Sequence, residues 1–210
     1  MRDKTPALGP LSIEEFLQFE DGSAVRHELV AGRAYALSGT TTRHNTIVAN
    51  IHAQLRIAAR GGACRPYIID LKVRAAHDRV YYPDCVVACA PHSADTTLID
   101  EPCLIVEVTS RTTRRIDRGE KLDAYLAIPS LRGYLIAEHD RRHVTLYSRP
   151  VGTEWRRDEI VTTGSMALPC LTGALSLDDV YEGIEMPPFR VREDPESEAE
   201  WLELEELERL

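Results

Sequence analysis

Long hydrophobic runs are missing from this 210-residue chain. No stretch approaches the roughly 20 apolar residues that a membrane helix needs. The opening residues, MRDKTPALGP, contain no apolar segment of the kind a signal peptide carries. A soluble, cytoplasmic protein with no membrane partner is therefore expected. Aromatic residues make up only 6%, which argues against a single-strand binder that works by stacking bases. No internal repeat, no CxxC pair and no Cys/His cluster with zinc-ligand spacing is present. Of the five cysteines, Cys85 and Cys89 share a face of one expected strand and Cys103 opens another. They read as small hydrophobes in a core.

Positive charge is also scarce, with a net charge of −9. That excess is concentrated at one end. Residues 191–210 hold nine acids and two arginines, a net of −7, which leaves −2 for the 190 residues before them. Within that near-neutral body, Arg111, Arg114, Arg115, Arg118 and Lys121 form a local basic cluster, compatible with phosphate contact. The apolar share of 43% supports a real core, and the length suits one domain. The expected division is a body at 1–185 and an acidic amphipathic tail at 186–210. The tail is either a short helix docking on its own body or a partner, or a solubilising extension.

Periodicity organises the body. LSIEEFLQFE (11–20) has the Ser12/Glu15 pattern of a capping box and predicts a short helix. HELVAGRAYALS (27–38) predicts two strands turning at Ala31-Gly32. In 44–60, Ile47, Val48, Ile51, Leu55 and Ala58 share a helical face. CRPYIIDLKVRA and RVYYPDCVVACA predict an antiparallel hairpin around His77-Asp78. CLIVEVTS predicts a strand, RRIDRGEKLDAYLA (114–127) a helix, and GYLIAEH and HVTLYSR two more strands. A further strand is expected over 155–162 and a short helix capped by Ser176. The result is an α/β class with a mixed sheet, in which the strands flanking the second long helix pair in parallel.

Two carboxylates stand out. Glu107 sits among Leu104, Ile105, Val106 and Val108, where a charge is costly unless a cation or donor meets it. Asp84 follows Pro83 at the end of another strand-forming run. On neighbouring strands the two can share a face, since alternation sends Ile105, Glu107 and Thr109 one way. That pair has the makings of a site for a hard divalent ion such as magnesium or manganese. A single buried Glu met by an arginine or a backbone amide is the competing reading. Arg114, Arg118, Lys121 and Tyr125 are spaced to form one stripe on the following helix, so Lys121 can reach the place where the carboxylates meet.

With these pieces in place, the order helix, three strands, helix, strand resembles the PD-(D/E)XK nuclease superfamily, the restriction-endonuclease-like fold. More closely, the chain is similar to the Uma-two family of endonucleases. The matching segments are LSIEEFLQFEDGS, RHELVAGRAYALS, RHNTIVANI, VYYPDCVV, LIVEVTSRTTRRIDRGEKLDAYLAIPSLRGYLI and LSLDDVYEG, covering roughly residues 11–184. The superfamily's lysine position, two residues after the strand acid, is Thr109 here. Lys121 fits the migrated position that related families use.

The resemblance implies metal-dependent hydrolysis of DNA phosphodiester bonds. Asp84, Glu107 and the Val108 carbonyl would hold magnesium, and Lys121 would orient water or offset charge on the phosphate. Glu28 matches an acid that family members carry, implying a second ion or a held water. A surface Glu on an edge strand is its other reading. His44 caps its helix or contacts substrate. Lys72 is a ladder-edge charge, a phosphate contact or a substitute lysine. Arg114 and Arg118 contact backbone phosphates or form a salt-bridged helix face. A homodimer is also implied, since cutting both strands takes two sites. The alternative function is an inactive nuclease-fold module that binds nucleic acid or, through its acidic tail, a protein.

Overall fold

Proline at position 83 and two left-handed residues opposite it decide the architecture. The computed structural model describes residues 3–4, 10–110 and 113–186. In chain order it contains β1 (Asp3–Lys4), α1 (Ile13–Asp21), β2 (His27–Val30), β3 (Arg33–Ala36), α2 (Thr42–Ala58), β4 (Arg65–Ile68), β5 (Lys72–Ala76), β6 (Arg79–Tyr81), β7 (Cys85–Ala88) and β8 (Leu98–Ile99). There follow β9 (Pro102–Thr109), α3 (Arg114–Arg118), α4 (Glu120–Leu126), β10 (Gly133–Glu138), β11 (His143–Ser148), β12 (Arg156–Val161), β13 (Ser165–Ala167), β14 (Ala174–Ser176) and α5 (Leu177–Val180). The expected hairpin exists, but both of its arms break. Ile69 and Asp70 take φ of 57° and 58°, and Pro83 has no amide to donate to a ladder. Consequently β4 pairs with β7 in one sheet while β5 pairs with β6 in another, both antiparallel.

The central sheet has the order β12-β11-β10-β9-β7-β4, and the second has the order β1-β3-β2-β6-β5-β8. The parallel pair β9–β10 lies in the middle of the central sheet and is connected through α3 and α4. A crossover helix joining parallel neighbours is what the sequence pattern required. Alternation along β9 separates two cores. Leu104, Val106 and Val108 pack with Ile47, Val48, Ile51 and Leu55 of α2. On the opposite face Ile105 packs with Tyr125, Tyr134 and Ile136. Each fully buried aliphatic side chain contributes about 1.5–3 kcal/mol, so both faces of β9 fix its register.

Several local expectations hold and two need correction. The capping box forms: the Glu15 amide donates to Ser12 Oγ, and Glu15 Oε2 accepts from the Ser12 amide. Ser176 caps α5, its side chain accepting from the Asp179 amide. The single helix expected over 114–127 is broken in two at Gly119, where φ −120° and ψ −99° leave the helical region. A Cβ there would lie 3.0 Å from the Arg115 carbonyl oxygen, so glycine permits the close turn. The cysteine expectation also fails for two of three residues. Cys85 is buried in the core, but Cys89 is joined to Cys64 and Cys103 to Cys170. The β4–β7 register, with Arg65 opposite Ala88, sets Cys64 and Cys89 across from each other just beyond the paired residues. Such a meeting, 25 residues apart in sequence, has no local signal. The acidic tail from 187 onward and Arg111 lie outside the described residues. Among the described residues, no helix is long and apolar enough to cross a membrane.

The broken helix has its own anchor. Glu138 ends β10 with a side chain that is 0% exposed, and it accepts from Arg118 Nη2 at 2.7 Å and pairs with Arg114 Nη2 at 2.8 Å. Thr109 Oγ1 also donates to it, at 2.8 Å. Burial pushes the Glu138 carboxyl up, but the Arg118 and Thr109 hydrogen bonds and both arginine charges outweigh it, and its pKa is lowered. A lowered carboxyl pKa stabilises the fold above the ordinary glutamate range, and this stability is lost as pH falls through the lowered value. Urea unfolding of Glu138→Gln should therefore show a deficit near neutrality, of about 3–5 kcal/mol for a broken buried pair, that closes in acid. An equal deficit at all pH values would show that the carboxylate charge is not what anchors α3.

Candidate active site

Glu107 occupies the α4-facing side of β9, surrounded by Tyr125 and Tyr134, each 0% exposed. Its Oε1 accepts from Lys121 Nζ at 2.9 Å and from Tyr125 OH at 3.0 Å. Lys121 and Tyr125 are one helical turn apart in α4, so their side chains point to the same spot. Burial pushes the Glu107 carboxyl well above the usual carboxylate range, with the Lys121 ammonium opposing and the Asp117 and Asp84 carboxylates adding to the rise.

Lys121 is the meeting point. Besides Glu107, its Nζ lies 2.9 Å from Glu28 Oε1 and 3.9 Å from Asp117 Oδ1. Desolvation opposes its charge, but the Glu107, Glu28 and Asp117 carboxylates more than offset it and hold the ammonium well above its ordinary pKa. Glu28 comes from the second sheet. It is 2% exposed, and β2 lies between β3 and β6, so it is neither a surface residue nor on an edge strand. The Tyr82 amide donates to its Oε1 at 3.3 Å.

Asp84 approaches from β7. The β7–β9 register, with Cys85 opposite Val106, sets Asp84 level with Glu107 one step further on. Asp84 Oδ2 accepts from the Val108 amide at 2.7 Å and lies 3.3 Å from His44 Nε2. Burial pushes the His44 imidazole toward neutrality, but the Asp84 hydrogen bond and charge and the Val108 carbonyl outweigh it, so its pKa is raised. His44 is not the cap of α2: Thr41 Oγ1 accepts from the His44 amide, which leaves the ring free to turn to Asp84. Glu28, Asp84, Glu107, Val108, Asp117 and Lys121 all border one pocket of about 430 Å³, with the 37–41 loop across it.

Asp117 was not anticipated. It is 2% exposed in α3, and burial, opposed by Lys121 and a Thr113 hydrogen bond, pushes its pKa up to about 6. The signal was its position four residues before Lys121, a spacing that puts both side chains on one helix face. Lys72 stands apart on β5, its Nζ 5.5 Å from the Tyr82 ring centroid. Arg114 and Arg118 are turned toward Glu138, and Arg114 also meets Asp140 at 2.7 Å. They do not border the pocket.

Carboxylates from two adjacent strands and a lysine from the next helix, on a mixed sheet with a parallel centre, are the arrangement of restriction-endonuclease-like folds. A family model described as "Putative restriction endonuclease", Uma2, matches residues 13–178. The chain belongs to the Uma2 family, a family of nuclease type. It is 30% identical over 176 residues to "Uncharacterized protein slr1290" of Synechocystis sp., covering 83% of this chain and 93% of that protein. It also superposes on the "Crystal structure of a putative nuclease belonging to DUF820 from Anabaena variabilis", with a TM-score of 0.66 at 15% identity. That match covers 81% of this chain and 97% of the other.

Unequal roles inside the cluster have a measurable consequence. Lys121→Met leaves three buried carboxyls without their cation and should lower stability by about 3–5 kcal/mol in urea unfolding. Glu107→Gln removes a carboxylate that burial disfavours and should unfold no earlier than the parent. The reverse ranking would mean that Lys121 does not hold the cluster together.

Proposed function

We propose that the chain is a divalent-metal-dependent endonuclease that hydrolyses phosphodiester bonds in DNA. The observation that carries this reading is the charge imbalance in the pocket: Glu28, Glu107 and Asp117 surround one lysine, with Asp84 beside them. A site this acidic repels a phosphate unless a cation joins it. The donors suit magnesium or manganese, which take hard oxygen ligands and are usually held by one or two carboxylates plus substrate phosphate. Asp84, Glu107 and the Val108 carbonyl would supply those oxygens, and Glu28 would add a further carboxylate. When bound, such an ion supplies Lewis acidity at the phosphate and lowers the pKa of an attacking water.

The chain's own groups have distinct tasks in this reading. Asp84 is aimed by the Val108 amide, which donates to its Oδ2, and by His44 beside it. Lys121 offsets negative charge that grows on the phosphate and gives Glu107 a fixed partner. Tyr125 holds the other side of Glu107 Oε1. Asp117, whose pKa is pushed up to about 6, accepts or releases a proton as cationic charge enters or leaves the pocket. Lys72, beside the pocket residue Tyr82, is placed to meet a strand leaving the site. Arg114 and Arg118 serve by anchoring α3 through Glu138. Cutting both strands of a duplex requires two sites, for which we propose a homodimer. The 1–185 body would contain the whole catalytic apparatus, with 186–210 as a separate acidic tail.

The test is cleavage of supercoiled plasmid, linear duplex and single strands with magnesium or manganese, each against a chelator control. Metal-dependent nicking is expected from the parent, with at least about a thousandfold loss in Asp84→Ala and Glu107→Ala, since each ligand is worth several kcal/mol in the transition state. Nucleic-acid binding by a folded parent that never cuts under any of these conditions would instead assign a binding module.

A further inference from the structure

At the other end of the strands that carry Asp84 and Glu107, four cysteines converge. Cys64 precedes β4, Cys89 follows β7, Cys103 lies near the start of β9, and Cys170 sits in the loop between β13 and β14. The Sγ atoms of Cys89, Cys103 and Cys170 lie within 4.8 Å of one another. Cys64 adjoins this trio: it is joined to Cys89, and its Sγ is 3.4 Å from the Cys170 carbonyl oxygen. Among the described residues, this is the place where three or more His, Cys, Asp or Glu ligand atoms come that close. The carboxylate cluster does not, because Lys121 stands in its middle. We propose that Cys64, Cys89, Cys103 and Cys170, when reduced, form a four-thiolate site for one zinc ion.

Geometry favours a single ion over two isolated disulfides. The sulfurs are paired in the structure, Cys64 with Cys89 and Cys103 with Cys170. Two separate cross-links would need no common location, whereas these four meet in one. Tetrahedral zinc with Zn–S bonds of about 2.3 Å places its sulfurs about 3.8 Å apart, within the observed spread. A cubane iron–sulfur cluster is a larger body that holds its cysteine sulfurs further apart.

The surroundings suit thiolates. Cys170 takes a left-handed φ of 67°, a conformation that non-glycine residues adopt mainly where the structure demands it; here it serves to aim the side chain inward. Cys89, Cys103 and Cys170 border a groove of about 870 Å³ that Arg132, Arg149 and Arg156 also line. The groove supplies an entry path to the sulfurs. Opening the two sulfur–sulfur bonds consumes two electron pairs and four protons. Four equivalents of a small thiol deliver both and leave as two disulfides. Zinc then displaces the four thiol protons.

The site is separate from the carboxylate pocket. Cys103 is four residues from Glu107 along β9, which is about 13 Å of strand. A bound ion would clip β4, β7 and β9 to the 168–173 loop.

The experiment uses the full chain, reduced with excess thiol and freed of it under argon. Zinc uptake is measured by elemental analysis, and cobalt uptake by its thiolate charge-transfer absorption. About one metal per chain is expected, together with four thiols that resist alkylation until a chelator is added. Cys64→Ser and Cys170→Ser should lower occupancy at least tenfold, and Cys85→Ala should keep it. If a variant does not fold, the cobalt spectrum of the parent decides. A reduced, folded parent that takes up neither ion, carries iron with sulfide, or re-forms two disulfides in the presence of zinc would overturn the proposal.

Discussion

One buried ammonium carries the site. At 2.9 Å from Glu28 and from Glu107, Lys121 attracts each carboxylate by about 6 kcal/mol at an effective dielectric of about 20. Taking each ion out of water costs several kcal/mol, so one pair would do little better than break even. Two close carboxylates and a third at 3.9 Å tip the balance toward the charged lysine. They also make it indispensable, since among the described residues no other lysine or arginine pairs with Glu107. The same contacts tie β2 of the second sheet and β9 of the central sheet to α4. The junction between the sheets is therefore an electrostatic one as well as an apolar one.

The imbalance around Lys121 has to be settled somehow, and the titration behaviour shows how. Asp117 is pushed up to about 6 and Glu107 well above its ordinary value, each primarily by burial. Protons are the substitute for positive charge that the protein lacks. A divalent cation entering the pocket would displace them, so metal affinity would rise with pH across the range in which Asp117 ionises. Asp84 is treated differently. The Val108 amide donates to its Oδ2, and His44 Nε2 lies 3.3 Å away. Neighbouring carboxyls with contrasting environments are a recurrent way to divide acid and base tasks within one site.

How much of this could be read from sequence depends on whether a feature is local. The capping box at Ser12, the face of α2 and the alternation along β9 are short-range patterns, and they appear as expected. Asp84 and Glu107 were found because alternation and a proline mark them, and Lys121 because its helix spacing points back at the same strand. Glu28 was ambiguous, since nothing in HELV shows that β2 is flanked on both sides. Asp117 was missed because its burial beside Lys121 depends on how the helices pack on the sheet, which the four-residue spacing does not show. Arg114 and Arg118 looked like phosphate contacts because Glu138, twenty and more residues later, gives no sign of reaching them. The cysteines failed for the same reason on a larger scale, with partners 25 and 67 residues away.

One such long-range constraint also explains the architecture. Pro83 and the left-handed pair Ile69 and Asp70 force one hairpin to serve two sheets, so residues consecutive in sequence acquire unrelated surroundings. Asp84 lands at the sheet junction, while Cys89, five residues on, lands at the other end of the same strand. A hairpin continuing straight would keep both arms in one sheet and would carry β2, with Glu28, away from β9. Lys121 would then face Glu107 and Asp117 alone. The break that makes the fold hard to read is thus what assembles the acidic pocket. It concentrates negative charge beyond what Lys121 neutralises, a cost to stability of the kind that persists where a binding site needs it.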